Sequence, residues 1–367
     1  MATQGDFRAR FAAALNEAKG KADTLEVQLG GEVLGKILKT DVKTQAEIKS
    51  AVNGAAFEAD IKSFLNEIGI PGDDNIETGF QLLRQSTNPE QMLGYLNNRT
   101  LLPKDLSGND PISLTQDFLA LPANVAKKLF IWSWKSTPST GRGEVWLSLM
   151  LKDGKRPDSS QKGDMMINKA EWEVKGDGAR IAGQKGFGDA KQMRGHLNNA
   201  IVNFCNEIGR KAPDFLDGSA GDNAWNIGKK SAGLLGKSLE ALAKEKKFGR
   251  EDLVILNKHL LEAYSKYLLT FTTKLSLTEG IVAANGKINI AKYNRVLLEM
   301  YYTHYENTEE FKGIFLVSYT KANKVLACTT TKEFLSAVDS GKIKIAAYPS
   351  FTDAAGAQGG SFAIQLT

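Results

Sequence analysis

Apolar positions recur at helical spacing in the first third of the chain and again between residues 189 and 305, while short apolar or alternating runs mark 163–175 and 313–366. Phe7, Phe11 and Leu15 share one helical face, as do Ile48, Val52 and Phe57, and then Ile61, Phe64, Leu65 and Ile68. Ile70-Pro71-Gly72 ends that helix, and another is predicted over Thr78 to Arg84. Asn88 suits an N-cap with Pro89 in the first helical position, predicting a helix through Leu96. No strong strand is expected before residue 100. Leu101 to Pro111, with Ser107-Gly108-Asn109-Asp110, reads as a linker. Ser113 to Leu119 and Pro122 to Trp134 read as two short helices, the second ending in Phe130, Trp132 and Trp134. Core packing is the commoner fate of such aromatics, and stacking on nucleic-acid bases is the alternative.

Gly143 to Leu151 has the unbranched apolar composition of a buried helix, with Glu144 in its first turn. After a polar loop, Met165-Met166-Ile167 predicts a short strand, Asn168-Lys169 a turn, and Glu171 to Lys175 the return strand of a hairpin. Residues two apart share a strand face, so Glu171, Glu173 and Lys175 are expected on one side, facing a cleft or solvent. Trp172 and Val174 then face the core. The glycine-rich run from Gly176 to Gly188 is expected to lack regular structure and to let backbone approach a ligand closely.

Residues 189–210 predict a helix with Met193, Leu197, Ile201 and Phe204 on its apolar stripe and Lys191, Arg194 and His196 off it. Further helices are expected over Trp225 to Lys247, Asp252 to Thr270 and Ala291 to Tyr305. The first two of these carry the most basic tract: Lys229, Lys230, Lys237, Lys244, Lys246, Lys247 and Arg250, either a DNA-backbone surface or a solvated face. Strands are expected over Gly313 to Tyr319, Lys324 to Thr329, Lys342 to Tyr348 and Ser361 to Leu366, with a helix over Lys332 to Val338.

Composition narrows the function classes. At 367 residues, 42% apolar and 24% charged, the chain suits two or three folded domains. No apolar run reaches the roughly 20 residues that cross a bilayer. The start lacks the apolar stretch of a secretory signal. Cys205 and Cys328 are far apart and read as reduced thiols in a cytosolic setting, and with His196, His259 and His304 scattered, no zinc spacing is present. A net charge of +5 permits a polyanionic partner. A phosphate-binding P-loop is excluded, and Gly186-x-Gly188 is too little for a dinucleotide fold.

The candidate chemistry lies in Glu144, Asp164, Glu173 and Lys175, three carboxylates and one amine that a helix and a hairpin would bring together. Asp164 and Glu173 offer the oxygen donors that Mg²⁺ prefers. Lys175 would orient or help deprotonate an attacking water. Arg142, Arg180 and Lys185 would hold phosphates, and Gln184 would touch substrate or a metal-bound water. At these residues the chain resembles the PD-(D/E)XK nuclease superfamily, which includes many restriction endonucleases and archaeal Holliday-junction resolvases. Glu144 matches the helix acid, Asp164 the acid at the start of a strand, and Glu173 with Lys175 the Glu-x-Lys; Gly163 stands where the family pattern has proline. The resemblance covers roughly Arg142 to Gln184. It implies Mg²⁺-dependent DNA cleavage, with Mn²⁺ as a substitute, Asp164 and Glu173 on the metal, Glu144 assisting and Lys175 beside the nucleophilic water.

The expected architecture is α/β (α+β): a restriction-endonuclease-like mixed sheet flanked by helices. It comprises an N-terminal helical module (1–105), the first part of a nuclease-like core (106–188), a helical insertion (189–305) and C-terminal strands completing the core (306–367). This arrangement also resembles proteins of tailed bacteriophages, which implies either a free enzyme of the host cytoplasm or a virion component. Two alternatives to a deoxyribonuclease stand beside it: a neck or head protein of a virion that retains the nuclease fold, and a non-catalytic DNA-binding protein. Partners would be DNA, a second copy of the chain or other phage structural proteins, with no membrane.

Overall fold

The computed structural model describes residues 28–29, 32–33, 42–53, 58–70, 72–73, 75–135, 141–157, 161–181, 190–214, 233–268, 275–347 and 362–367. Phe7, Phe11, Leu15, Gln184, Lys185, Lys229 and Lys230 lie outside the described residues. Among the described residues the fold is mixed α/β, with helices and with sheets of two, three and five strands. No helix among them is long and apolar enough to cross a membrane. The chain divides into two compact units, Met1–Val174 with Asn323–Ala327, and Lys175–Ala322 with Cys328–Thr367.

The first unit opens with a short antiparallel pair, β1 (Gln28–Leu29) and β2 (Glu32–Val33), where the apolar pattern predicts no strand. Helices α1 (Val42–Asn53), α2 (Glu58–Glu67), α3 (Asn75–Arg84) and α4 (Pro89–Asn97) pack on one another. Asn88 caps α4 as its sequence predicts, accepting the Gln91 N–H at 3.1 Å with Pro89 in the first turn. The expected linker is instead built in: α5 (Pro103–Leu106) occupies part of it. Gly108 donates its N–H to the Val325 carbonyl at 2.7 Å, and the Ser107 hydroxyl accepts the Ala327 N–H at 2.9 Å. Polar loop composition does not reveal these long-range partners, which satisfy backbone that would otherwise be exposed.

Helices α6 (Pro111–Leu119) and α7 (Ala123–Trp134) follow, then α8 (Glu144–Met150). The aromatic cluster packs in the protein. Phe130 meets Trp146 edge-on at 5.6 Å, and Trp132 lies 5.7 Å from Phe64. The strands β3 (Gly154–Lys155), β4 (Met165–Ile167) and β5 (Ala170–Lys175) make an antiparallel meander, with Lys155 opposite Met166 and Met165 opposite Trp172. Asn168 and Lys169 both take positive φ, as a tight hairpin turn matched to strand twist requires.

In the second unit, β6 (Arg180–Ile181), β10 (Phe362–Leu366) and β9 (Ile343–Ala347) form an antiparallel sheet in that spatial order. The glycine-rich run is therefore not wholly irregular: Ile181 pairs with Phe362. Helix α9 (Ala190–Glu207) buries Met193, Leu197, Ile201 and Phe204 as its spacing predicts. Arg194, expected off that stripe, is buried as well. Helix α9 packs along α11 (Arg250–Leu268), with α10 (Gly233–Glu245) between them in sequence. Arg210 ties this group together, donating to the Leu242 and Lys246 carbonyls at 3.0 and 2.9 Å while lying over the Phe248 ring. Helix α12 (Ile290–Asn307) buries Tyr293, Leu297, Met300 and Tyr301. The strand β7 (Gly313–Ser318) and helix α13 (Thr331–Asp339) lie where alternation and capping place them, as does β8 (Lys324–Cys328), which through Ala327 belongs to the first unit. Cys205 and Cys328 are buried free thiols, their pKa values pushed up by burial to about 11 and about 12, so neither is a ready nucleophile.

Candidate functional site

The first unit builds its site from the end of α8 that carries Glu144. Helix α8 is fixed along its length by neighbours. Trp146, fully buried, donates its indole N–H to the Thr115 hydroxyl at 2.7 Å. Arg99 donates to the Ser148 carbonyl at 2.5 Å, and the Tyr95 hydroxyl donates to the Met150 carbonyl. These donors satisfy carbonyls at the helix C-terminus, which have no partner within the helix. At the other end Gly143, with φ of 89°, turns the chain into the helix. Glu144 folds back so that its carboxylate accepts the Gly141 N–H at 2.5 Å. A Cβ at position 141 would overlap Glu144 Oε1, so any larger residue there would displace the Glu144 carboxylate from this position.

Asp164 lies just ahead of β4, as its sequence predicts, and one carboxylate oxygen accepts the Val174 N–H at 2.9 Å. That bond pins the aspartate to β5 between Glu173 and Lys175. Gly163 could not be replaced by a proline. Its N–H donates to Glu171 Oε2 at 2.7 Å, which proline would abolish, and an added Cβ would come within 3.0 Å of the Trp172 carbonyl.

The charged row on β5 is not a solvated face. Glu173 is only 2% exposed, Trp172 and Val174 are buried too, and Lys175 at the strand end is half-buried. Both faces of β5 are therefore covered, which alternation alone does not reveal. Glu171, expected beside Glu173 in a cleft, instead accepts the N–H groups of Lys162 and Gly163 and closes the loop before β4.

Glu144 lies within the electrostatic reach of both Asp164 and Glu173. Glu144 is 7% exposed, and its pKa is raised to about 7, first by burial and then by the charge of Asp164. The Gly141 N–H opposes the rise, Glu173 adds to it, and Arg156 opposes it. At neutral pH this carboxyl is therefore shared between its acid and its ionised form. Among the described residues no group of three or more His, Cys, Asp or Glu side chains is arranged to hold a metal ion.

Of the other expected residues, Arg142 is exposed in the turn before α8. Arg180 is half-buried in β6 and, like Lys175 at the last position of β5, belongs to the second unit, whereas the three carboxylates belong to the first. Gln184 and Lys185 lie outside the described residues. In the basic tract Lys237, Lys244, Lys246, Lys247 and Arg250 are exposed, interspersed with exposed Glu240, Glu245 and Glu251.

Sequence reasoning missed Arg156 and Asp60. Arg156 follows β3 and pairs with Asp60 of α2, Nη2 to Oδ2 at 3.2 Å. In the sequence Arg156 reads only as part of a loop before Pro157, and nothing marks Asp60 as its partner. The chain as a whole matches no family model, no curated protein and no solved structure.

Proposed function

We propose that the chain is a metal-dependent phosphodiesterase acting on DNA, with Glu144, Asp164, Glu173 and Lys175 as its site and a nuclease-like core of the PD-(D/E)XK kind around them. The observation that carries the reading is the convergence of three carboxylates from α8, the start of β4 and β5, with Glu144 driven to a neutral-range pKa by burial and by the other two. Stability alone does not favour burying like charges together, and such clusters concentrate at functional sites.

In its chemistry, though not as an arranged group of three ligands, the donor set suits a hard divalent cation. It is all oxygen, and it carries repulsion that a cation would relieve. Mg²⁺ is commonly held by one or two carboxylates, with water and substrate phosphate completing its shell, so Asp164 and Glu173 would suffice to hold it. Bound there, Mg²⁺ or Mn²⁺ would polarise a phosphate oxygen and acidify a water. The chain's own residues do the rest. Asp164 is oriented by the Val174 N–H, and Glu173 is held by a strand covered on both faces. Glu144, titrating near neutrality, is able to take up or release a proton during the reaction. Lys175, two residues beyond Glu173 on β5, supplies the amine that would orient the attacking water.

Incubating purified protein with linear, circular and branched DNA in Mg²⁺, Mn²⁺ or EDTA tests this reading, beside Asp164→Ala and Lys175→Ala. Metal-dependent cutting that both variants lose, with unchanged circular dichroism, is the expected result. DNA binding without cutting under either metal would replace the enzyme reading with a non-catalytic DNA-binding one.

A further inference from the structure

With a divalent cation and Lys175 assigned to the reacting phosphate and water, three carboxylates still repel the rest of the DNA backbone, so a further fixed positive charge beside the site would aid binding. Arg142, the nearest arginine in sequence to Glu144, is exposed in its turn. Arg156 is placed differently. It leaves β3, whose Lys155 is paired with Met166 of β4, so its backbone runs beside the strand that Asp164 begins. Its charge acts on Glu144. Its side chain is 35% exposed, while the Asp60 side chain with which it makes a single ion pair, Nη2 to Oδ2, is 15% exposed.

Asp60 comes from α2, a helix anchored by buried Ile61, Phe64 and Leu65. A guanidinium paired with a carboxylate on a packed helix is drawn toward one position before substrate arrives, and its planar fork presents several donors at once. The pairing also reduces the ordering that binding would otherwise require.

We propose that Arg156, oriented by Asp60, is the phosphate-anchoring cation of this site, taking a backbone phosphate of DNA and holding it against the repulsion of Glu144, Asp164 and Glu173. This inference rests on the phosphodiesterase reading. Arg156 is the group that touches substrate, and Asp60 is a positioning residue.

The experiment is fluorescence anisotropy of a short DNA duplex with Ca²⁺ in place of Mg²⁺, over a salt series, for the wild type, Arg156→Gln, Arg156→Lys and Asp60→Asn. Losing a charged hydrogen bond to phosphate predicts about tenfold weaker binding for Arg156→Gln. The slope of log affinity against log salt should fall by about 0.9, the share of one phosphate contact. Arg156→Lys keeps the slope and loses several-fold in affinity, because the charge stays and the fork is lost. Asp60→Asn keeps the slope with a smaller loss than Arg156→Gln. Where Arg156→Gln fails to fold, the wild type answers instead: DNA should protect Arg156 from phenylglyoxal, mapped by mass spectrometry. Wild-type binding and cutting with an unchanged affinity and slope for folded Arg156→Gln, or without protection of Arg156, overturns this inference and leaves the phosphodiesterase reading standing. A wild type that neither binds nor cuts DNA overturns both.

Discussion

Two acidic residues, one in each unit, show what separates a carboxylate that holds structure from one that the proposed phosphodiesterase reading would use for chemistry. Asp177, in the glycine-rich run of the second unit, accepts the N–H groups of Tyr319 and Thr320 at 3.0 and 2.8 Å and the Thr320 hydroxyl at 2.7 Å. Burial works against its charge, but the Ser318 and Thr320 hydroxyls and the two backbone donors outweigh it and hold its pKa below the ordinary value. Glu144 in the first unit has one backbone donor, and its neighbours Asp164 and Glu173 are acids. Its pKa goes the other way. Donors around a carboxylate reward folding, whereas like charges around it oppose folding and leave a proton available near neutrality.

The comparison breaks most visibly in activity. Replacing Glu173 or Asp164 by alanine is expected to lower metal-dependent cleavage by a factor on the order of 10³, the scale of removing an essential charged group. Asp177→Ala should leave cleavage per folded molecule unchanged. Steady-state cleavage normalised to the folded fraction checks both. Equal losses at Asp177 and Glu173 would remove the distinction.

Stability should then separate the two with opposite signs. The folded-state pKa of Glu144 lies above its unfolded value, so the folded state holds the extra proton between the ordinary carboxylate range and about pH 7. Stability is greatest below that window and falls as pH rises through it. Each tenfold difference in proton affinity between the folded and unfolded states is worth about 1.4 kcal/mol. Glu144→Gln should therefore be more stable than the wild type at pH 8 by about 3 kcal/mol, relative to their difference at pH 4. Urea midpoints at the two pH values measure this, and a Gln variant that is not relatively stabilised at pH 8 would show that the carboxyl is not held up. Asp177→Ala should lose about 1–2 kcal/mol at pH 7, because three donors, from part-buried Tyr319 and exposed Thr320, lose a charged acceptor. Its folded pKa is depressed, so that contribution is present above the ordinary carboxylate range and is lost as pH falls through the folded value.

How much of this was legible follows from the range of each interaction. The hairpin around Asn168-Lys169, helix α8, the α4 cap and the strands from Gly313 onward rest on local spacing and turn chemistry, and the sequence predicts them closely. Glu144, Asp164 and Glu173 were legible as a group for the same reason, since a helix and a hairpin carry all three within a short stretch. Burial of Glu173 was not, because alternation reports one strand and not what covers both of its faces. Nor were the Asp60–Arg156 pair, the clasp of Asp177 on the segment after β7, or the pinning of Ser107 and Gly108, all of which join residues distant in sequence.

The smallest expected effect is the sharpest form of the comparison, because it lies within one strand. Glu171 and Glu173 are two residues apart on β5, and sequence alone treats them alike. Glu171 accepts the Lys162 and Gly163 N–H groups at 3.0 and 2.7 Å, so it resembles Asp177 in its donors, while Glu173 shares the surroundings of Glu144. Glutamine at 171 keeps an oxygen acceptor for those N–H groups and loses only the charge assistance. Glu171→Gln should therefore cost about 0.5–1 kcal/mol in urea unfolding and leave cleavage within about twofold of the wild type. Glu173→Gln, with the same loss of charge two residues away, should abolish cleavage. A large loss of activity at position 171 with the fold intact would mean that the loop before β4, and with it the placement of Asp164, depends on that charge, and Glu171 would join the site.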